Sequence, residues 1–207
     1  TGVLIPERLP NASSISFIEN CPECNSLLER KEGEANHYCI NEYQCPPQIK
    51  GKILHFIARK GMNIDGLGEE TVELLYEKGL VRNITDLYQL KKDDLLSLEG
   101  FQEKSVTNLL KGIEESKTIR FEKVLFAIGI RYVGETVAKK LAFHFSKIEN
   151  IINATRDQLI SADEIGSKIA DSLLDYFQNT VNIDMINELI SCGLIFEIEK
   201  DLSIRTR

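Results

Sequence analysis

Four of the chain's five cysteines, Cys21, Cys24, Cys39 and Cys45, lie close together. Cys21-Pro22-Glu23-Cys24 puts two thiolates on one tight turn, and Cys39 and Cys45 follow after 14 and 5 intervening residues. Thiolate sulfur is a preferred zinc ligand, and four with no fifth nearby match the closed tetrahedral shell of a structural site. A catalytic zinc needs a coordination position open to water, which four cysteines do not leave. Ordinary buried or free thiols would not account for the clustering, and an odd count with one tight group argues against a disulfide framework and for a reducing compartment, the cytosol. The stretch 25–38 has room for a short hairpin turning near Gly33, with His37 as an exposed hairpin residue. Metal binding there acts as folding free energy, on the order of 10 kcal/mol in small sites of this kind.

The second group of chemically suggestive residues is a set of glycine turns. Gly66-Leu67-Gly68, Gly100-Phe101-Gln102, Tyr132-Val133-Gly134 and Glu164-Ile165-Gly166 align as repeats, each with an apolar middle residue, and their third positions are 34, 32 and 32 residues apart. Four residues beyond each third position stand Val72, Val106, Ala138 and Ala170, and seven beyond stand Leu75, Leu109, Leu141 and Leu173. Positions +4 and +7 share one helix face, so each unit is a turn that feeds an amphipathic helix. A helix N-terminus exposes unpaired N–H groups at the positive end of its dipole, and glycine just ahead lets a phosphate approach them. Lys104 with Ser105, Thr136 with Lys139 and Lys140, and Ser167 with Lys168 stand in the first turns as helpers. Taken singly, such a glycine reads first as a tight helix connection; four in step favour the phosphate reading.

The elements that position these groups emerge from composition and texture. The chain has 207 residues, 43% hydrophobic and 28% charged, enough to bury a core as one large or two small domains. Its formal net charge of −7 argues against simple electrostatic adhesion to nucleic acid or an anionic membrane. Backbone donors need no basic total, however, and the acidity sits toward the two ends: residues 46–126 carry 13 basic and 13 acidic side chains. Residues 1–19 read as a linker with one extended stretch at 15–18, and 20–50 as the cysteine domain closed by Pro46-Pro47 as a stop. From Gly51 to about 195 the periodicity is helical, and 196–207 form a tail. The expected fold class is mainly α, a small four-cysteine zinc finger followed by a four-repeat helical domain. The opening Thr1-Gly2-Val3 is neither a signal peptide nor a methionine start, no run is long enough for a membrane span, and the chain reads as a soluble piece of a longer one. Glu69-Glu70 and Asp93-Asp94 read as helix N-terminal charges, His55 and His144 as core-edge residues beside phenylalanines, and Cys192 as packing ahead of a β-prone run 194–198. No general acid and base pair stands out.

The glycine–apolar–glycine turn resembles the helix-hairpin-helix motif, and a four-cysteine site directly before four such hairpins is similar to the C-terminal half of bacterial NAD-dependent DNA ligases. Cys21-Pro22-Glu23-Cys24, the string 62–68 (Met62-Asn63-Ile64-Asp65-Gly66-Leu67-Gly68) and the string 127–135 around Arg131 carry the resemblance, which covers about residues 20–195. It implies a part of an enzyme that seals nicks in duplex DNA during replication and repair, gripping the sugar-phosphate backbone across the minor groove without reading sequence. It implies zinc held by Cys21, Cys24, Cys39 and Cys45, and DNA contacts from Gly66, Gly68, Gly100, Lys104, Ser105, Arg131, Gly134, Thr136, Gly166, Ser167 and Lys168. NAD would act only through an N-terminal domain outside this chain.

Departures from the family pattern shape the expectation. The adenylated lysine of the family sits in Lys-x-Asp-Gly, whereas here Asn63 precedes Ile64-Asp65-Gly66, the chain's single Asp-Gly. The oligonucleotide-binding barrel that precedes the zinc site in the family has only residues 1–19 in its place here, which read as a remnant of the barrel side, and the family's BRCT domain has no counterpart before Arg207. Gln102 replaces the second glycine of the second hairpin, and Tyr132 and Glu164 replace the first glycine of the third and fourth. The expected entity is a monomeric DNA-binding portion, inactive alone, bacterial and cytoplasmic at the nucleoid, that prefers nicked duplex, binds no membrane and works with the adenylation and barrel domains of the same polypeptide. A stand-alone helix-hairpin-helix repair adaptor and a protein-interaction module are the alternatives.

Overall fold

A computed structural model of the chain describes residues 16–198; most of the expected linker 1–19 and of the tail 196–207 lies outside the described residues. The chain divides into two compact units, one ending at Gln48 and the other beginning at Ile49.

In the first unit, Cys21-Pro22-Glu23-Cys24 turns back on itself: Asn25 N–H donates to Cys21 O and Cys21 N–H to Ser26 O, both at 2.8 Å. Asn25 closes that turn at φ +58°, a left-handed conformation that asparagine tolerates. Two short antiparallel strands come next, β1 (Leu28–Glu29) and β2 (Tyr38–Cys39), with Leu28 opposite Cys39. Gly33, at φ +77°, lies in the connection between them. A second turn, with Cys45 N–H donating to Asn41 O at 2.9 Å, returns the chain to the sulfur cluster. Pro46-Pro47 stand at the end of this unit, which closes at Gln48, and they also open helix α1 (Pro46–Ile57). Proline is favoured in the first helical turn, where its missing N–H has no partner to lose and its φ is already helical.

The named elements of the second unit are all helical among the described residues. After α1 come α2 (Glu69–Glu77), a 3₁₀ turn (Thr85–Gln89), α3 (Lys92–Leu96), α4 (Glu103–Ser116), α5 (Phe121–Ala127), α6 (Glu135–Phe145), α7 (Ile148–Ile152), α8 (Arg156–Ile160), α9 (Ser167–Gln178) and α10 (Thr180–Ser191). The four repeats are the approaches to α2, α4, α6 and α9. Their +4 residues Val72, Val106, Ala138 and Ala170 and +7 residues Leu75, Leu109, Leu141 and Leu173 are all at most 1% exposed. The middle residues of three turns, Leu67, Val133 and Ile165, are buried as well, so each of these hairpins is pinned to the core at its tip and along one helix face.

Three smaller expectations meet the structure here. Glu69-Glu70 and Asp93-Asp94 stand in the first turns of α2 and α3 as read from sequence. His55 is half-buried, its Nε2 3.0 Å from Phe126 O and its ring 4.7 Å from that of Phe126. His144, however, is exposed: the buried stripe of α6 is Ala138, Leu141 and Ala142, which turns Phe143 and His144 to solvent. The β-prone run near the C-terminus pairs with the junction of α6 and α7, Ile148 N–H donating to Phe196 O and Ile198 N–H to Ser146 O, and Cys192 packs against the core ahead of it.

Candidate metal centre and nucleic-acid interface

All four sulfur atoms of Cys21, Cys24, Cys39 and Cys45 lie within 4.8 Å of one another. Cys21 Sγ is 3.9 Å from Cys45 Sγ, and Cys24 Sγ is 3.5 Å from Cys39 Sγ. Four thiolates at about 2.3 Å from a tetrahedral zinc stand about 3.8 Å from each other, so the donor set fits that ion in number, chemistry and spacing. The surroundings split the sulfurs. Ser26, through its hydroxyl and its backbone N–H, lowers the Cys24 thiol to about 6, whereas burial pushes Cys45 up to about 12 and also raises Cys39. A cation held between the four sulfurs would favour the thiolate form against the burial that raises Cys45 and Cys39. Gln48 Nε2 donates to Cys39 O at 3.0 Å and ties the start of α1 to the metal turn. His37 is exposed and stacks on Phe17 at 5.4 Å, away from any role as ligand.

The helical unit repeats one backbone shape four times. The third residue of each turn is the N-cap of the following helix and is extended: Gly68 (φ −96°, ψ 179°), Gln102 (−126°, 162°), Gly134 (−79°, 177°) and Gly166 (−82°, 171°). The first residue of each turn is left-handed: Gly66 at φ +86°, Gly100 at +85°, Tyr132 at +65° and Glu164 at +61°. Replacement of the first glycine by Tyr132 and Glu164 therefore leaves the turn unchanged.

What the N-cap glycines do not do is informative. A Cβ at Gly68, Gly134 or Gly166 would meet no described atom within 4 Å, and none of the three has a positive φ. Neither packing nor backbone conformation inside the protein calls for glycine there. Capping does not either, because Ser, Asp or Asn would serve α2, α6 and α9 at least as well. Elsewhere the chain uses such caps: Thr155 Oγ1 accepts from Gln158 N–H at the start of α8, and Asn179 Oδ1 from Val181 N–H at α10. Three other helices without a side-chain cap, α3, α5 and α7, have Lys91, Arg120 and Lys147 as their N-cap residues. Glycine at the three hairpin tips leaves the helix N–H groups both uncapped and unshielded.

Around these tips the charged side chains are partly committed. Lys60 Nζ is 2.7 Å from Glu135 in the first turn of α6, and Lys92 Nζ is 2.6 Å from Glu103 in that of α4. Lys140 reaches both Asp163 and Glu164 at 2.6 Å, so it screens the acidic approach to the fourth turn instead of facing outward as a helper. Ser105, although exposed, is engaged by its own turn, its Oγ accepting from Gln102 N–H at 3.0 Å and donating to Gln102 O at 2.9 Å. Lys104, Thr136, Ser167 and Lys168 are exposed in the first turns of α4, α6 and α9. Beside the first turn lies an open concavity of about 420 Å³, lined among others by Arg59, Asn63, Asp65, Gly66 and Gly68.

The hairpins are also joined in pairs. A Cβ at Gly112 of α4 would stand 3.3 Å from Asp65 O, and one at Gly66 would meet α4 Leu109 at 3.8 Å, so the helix of the second hairpin backs the turn of the first. Correspondingly, Ser172 Oγ of α9 donates to Arg131 O at 2.8 Å, backing the third turn with the helix of the fourth. Residue-type reasoning passed over Tyr132 and Ser172, although the alignment of Tyr132 with Gly66 and Gly100 marked its position.

A four-sulfur centre followed by paired glycine turns opening helices defines a zinc-finger protein with tandem helix-hairpin-helix units. Comparison with known sequences agrees segment by segment: residues 20–46 match the NAD-dependent DNA ligase C4 zinc finger domain, 62–115 a SAM-like helix-hairpin-helix tandem, and 123–186 a helix-hairpin-helix motif. The chain is 53% identical over 207 residues to a DNA ligase of Bacteroides fragilis, covering 100% of this chain and 31% of that protein. It is 52% identical over 200 residues to DNA ligases of Flavobacterium psychrophilum and Cytophaga hutchinsonii, covering 97% of this chain and 30% of each. The chain thus matches the zinc-finger and helix-hairpin-helix part of proteins named DNA ligase, with the zinc finger of the NAD-dependent kind. It spans just under a third of the length of the curated relatives it matches.

Proposed function

We propose that this chain is the DNA-holding part of a nick-sealing ligase, gripping duplex around the break through backbone phosphates. The observation that carries the reading is the set of three N-cap glycines, Gly68, Gly134 and Gly166, for which the described residues show no conformational or packing need. Phosphate oxygens approaching these tips meet bare helix N–H groups and the positive dipole end, and Gly66 and Gly100 keep the first two turns equally close. Arg131, Lys168 and Lys104 add cations, while Thr136 and Ser167 add hydroxyl donors. Ser105 acts indirectly, by closing the second turn on itself. A grip of this kind tolerates a net charge of −7 because its donors are backbone groups.

Zinc, held by Cys21, Cys24, Cys39 and Cys45, supplies structural cross-linking of the two cysteine turns and no reaction chemistry. Adenylation from NAD belongs to another domain of the polypeptide: Asn63 stands where the Lys-x-Asp-Gly lysine would be. This segment accordingly positions the nicked strand for the chemistry done elsewhere, as a monomer in the bacterial cytoplasm.

The test is a titration of labelled duplex, nicked and intact, at several salt concentrations. Expected are sequence-independent binding, preference for the nick, and a log–log salt slope near 0.9 per phosphate contact. Absence of binding at low salt overturns the reading for this segment and favours a protein-interaction role.

A further inference from the structure

The third hairpin tip holds a residue that the phosphate grip alone does not explain. Tyr132 occupies a left-handed position, φ +65°, that glycine fills in the first two hairpins without strain. Its ring is not withdrawn into the core but remains 39% exposed. Two cations from different hairpins approach it: Arg131 Cζ is 5.0 Å from the ring centroid and Lys168 Nζ, from the first turn of α9, is 4.7 Å away. Both distances fall within the range of cation–π attraction. The backbone beneath is fixed to the same helix, since Ser172 of α9 holds Arg131 O.

We propose that Tyr132 is a positioning residue for duplex DNA: its ring gathers Arg131 and Lys168 so that the third and fourth hairpins present one joint cationic grip to the sugar-phosphate backbone. The inference rests on the DNA-holding reading above and adds to it a residue outside the glycine turns' own logic. Without the ring, two long side chains on separate hairpins must each be ordered by the ligand, at an entropic cost for each. With it, both are held near the tip before DNA arrives. The two glycine-built tips, Gly66 and Gly100, carry no such ring, so the device belongs to the second pair of hairpins.

The test compares Tyr132→Phe, Tyr132→Trp, Tyr132→Leu and Tyr132→Gly in the duplex titration, with helical content followed by circular dichroism. Phenylalanine and tryptophan should retain wild-type affinity. Leucine and glycine should lose about fivefold, the scale of an exposed cation–π pair. Tyr132→Gly is the decisive variant, because it relieves the left-handed strain and cannot fail for that reason. Lys168→Gln should cost less in the Tyr132→Gly background than in wild type, because the two act as a unit. In Tyr132→Trp the indole is the chain's sole tryptophan, so its emission should shift on duplex binding. A wild-type chain that binds while Tyr132→Gly binds equally well overturns this proposal and leaves the DNA-holding reading intact, as does strict additivity with Lys168→Gln. A wild-type chain that binds no duplex overturns both.

Discussion

The two units of this chain are held together by different physics. Between residues 16 and 48 the buried apolar side chains are Cys21 and Cys45, while Phe17, Ile18, Leu27 and Ile40 are 58% to 73% exposed. From Ile49 onward the reverse holds: a continuous set of buried Ile, Leu, Val, Ala and Phe residues runs through all four hairpins to Phe196. A unit of this size with two 2-residue strands cannot bury enough surface to offset its chain entropy, and four sulfurs around one ion take the place of a core. The helical unit needs no such cross-link. Metal and apolar burial are thus alternative solutions to the same entropy problem, and each predicts its own way to fail.

Metal removal should produce the largest effect. Chelation, or Cys24→Ser, is expected to unfold residues 20–45 with a loss on the order of 10 kcal/mol, while the far-ultraviolet helical signal and the main thermal transition persist. The check is zinc content by atomic emission alongside circular dichroism. A zinc-free chain with protected amides in the cysteine turns would sink the comparison. Next in size is a cavity in the helical unit: Leu141→Ala, at a fully buried site on α6, should cost about 2–5 kcal/mol in urea unfolding and leave zinc content unchanged. The third effect touches neither kind of stability. Gly68→Val places a branched side chain in open space at an extended φ, so the melting temperature should hold while duplex affinity falls on the order of tenfold, the worth of a charge-assisted contact. Unchanged affinity in both Gly68→Val and Gly166→Val would remove the hairpin tips from the interface.

These outcomes depend on features of unequal legibility. The cysteine spacing and the repeat positions +4 and +7 were readable because coordination and helix periodicity each demand fixed residue types at fixed intervals. The left-handed state of Tyr132 and Glu164 was not, because neither residue favours it: surrounding packing imposes it, as when Ser172 pins Arg131 O and Lys140 holds Glu164. Pro46-Pro47 were legible as the end of the first unit but not as the start of a helix. Proline ends one helix or begins another, and here the apolar stripe Ile49, Ile53 and Phe56 on its C-terminal side makes it a beginning. The loss of Lys140 to Asp163 depends on a partner 23 residues away, whereas Ser105 is taken up by a local capping box with Gln102; reading first-turn residues as open helpers missed both. Exposure of His144 reflects one register choice on α6 that the flanking phenylalanines blurred.

The smallest effect separates surface charge from the burial that sets hairpin geometry. Arg156 Nε and a second guanidinium nitrogen meet the Asp171 carboxylate at 2.6 and 3.2 Å, joining α8 to α9 across the fourth hairpin in a half-exposed pair. Hydrogen bonding to Arg156 holds Asp171 below its ordinary carboxylate value. A carboxylate lowered in the folded state contributes stability that is present above its unfolded value, about 4, and disappears as pH falls through the folded value. Asp171→Asn should therefore lower the urea midpoint of the helical unit slightly at pH 7, match wild type well below pH 3, and differ less at high salt. Because Leu159 and Leu173 are fully buried on the same two helices, duplex affinity should be unchanged. A large loss at pH 7 would mean that the ion pair, and not the buried leucines, fixes how the fourth tip is presented.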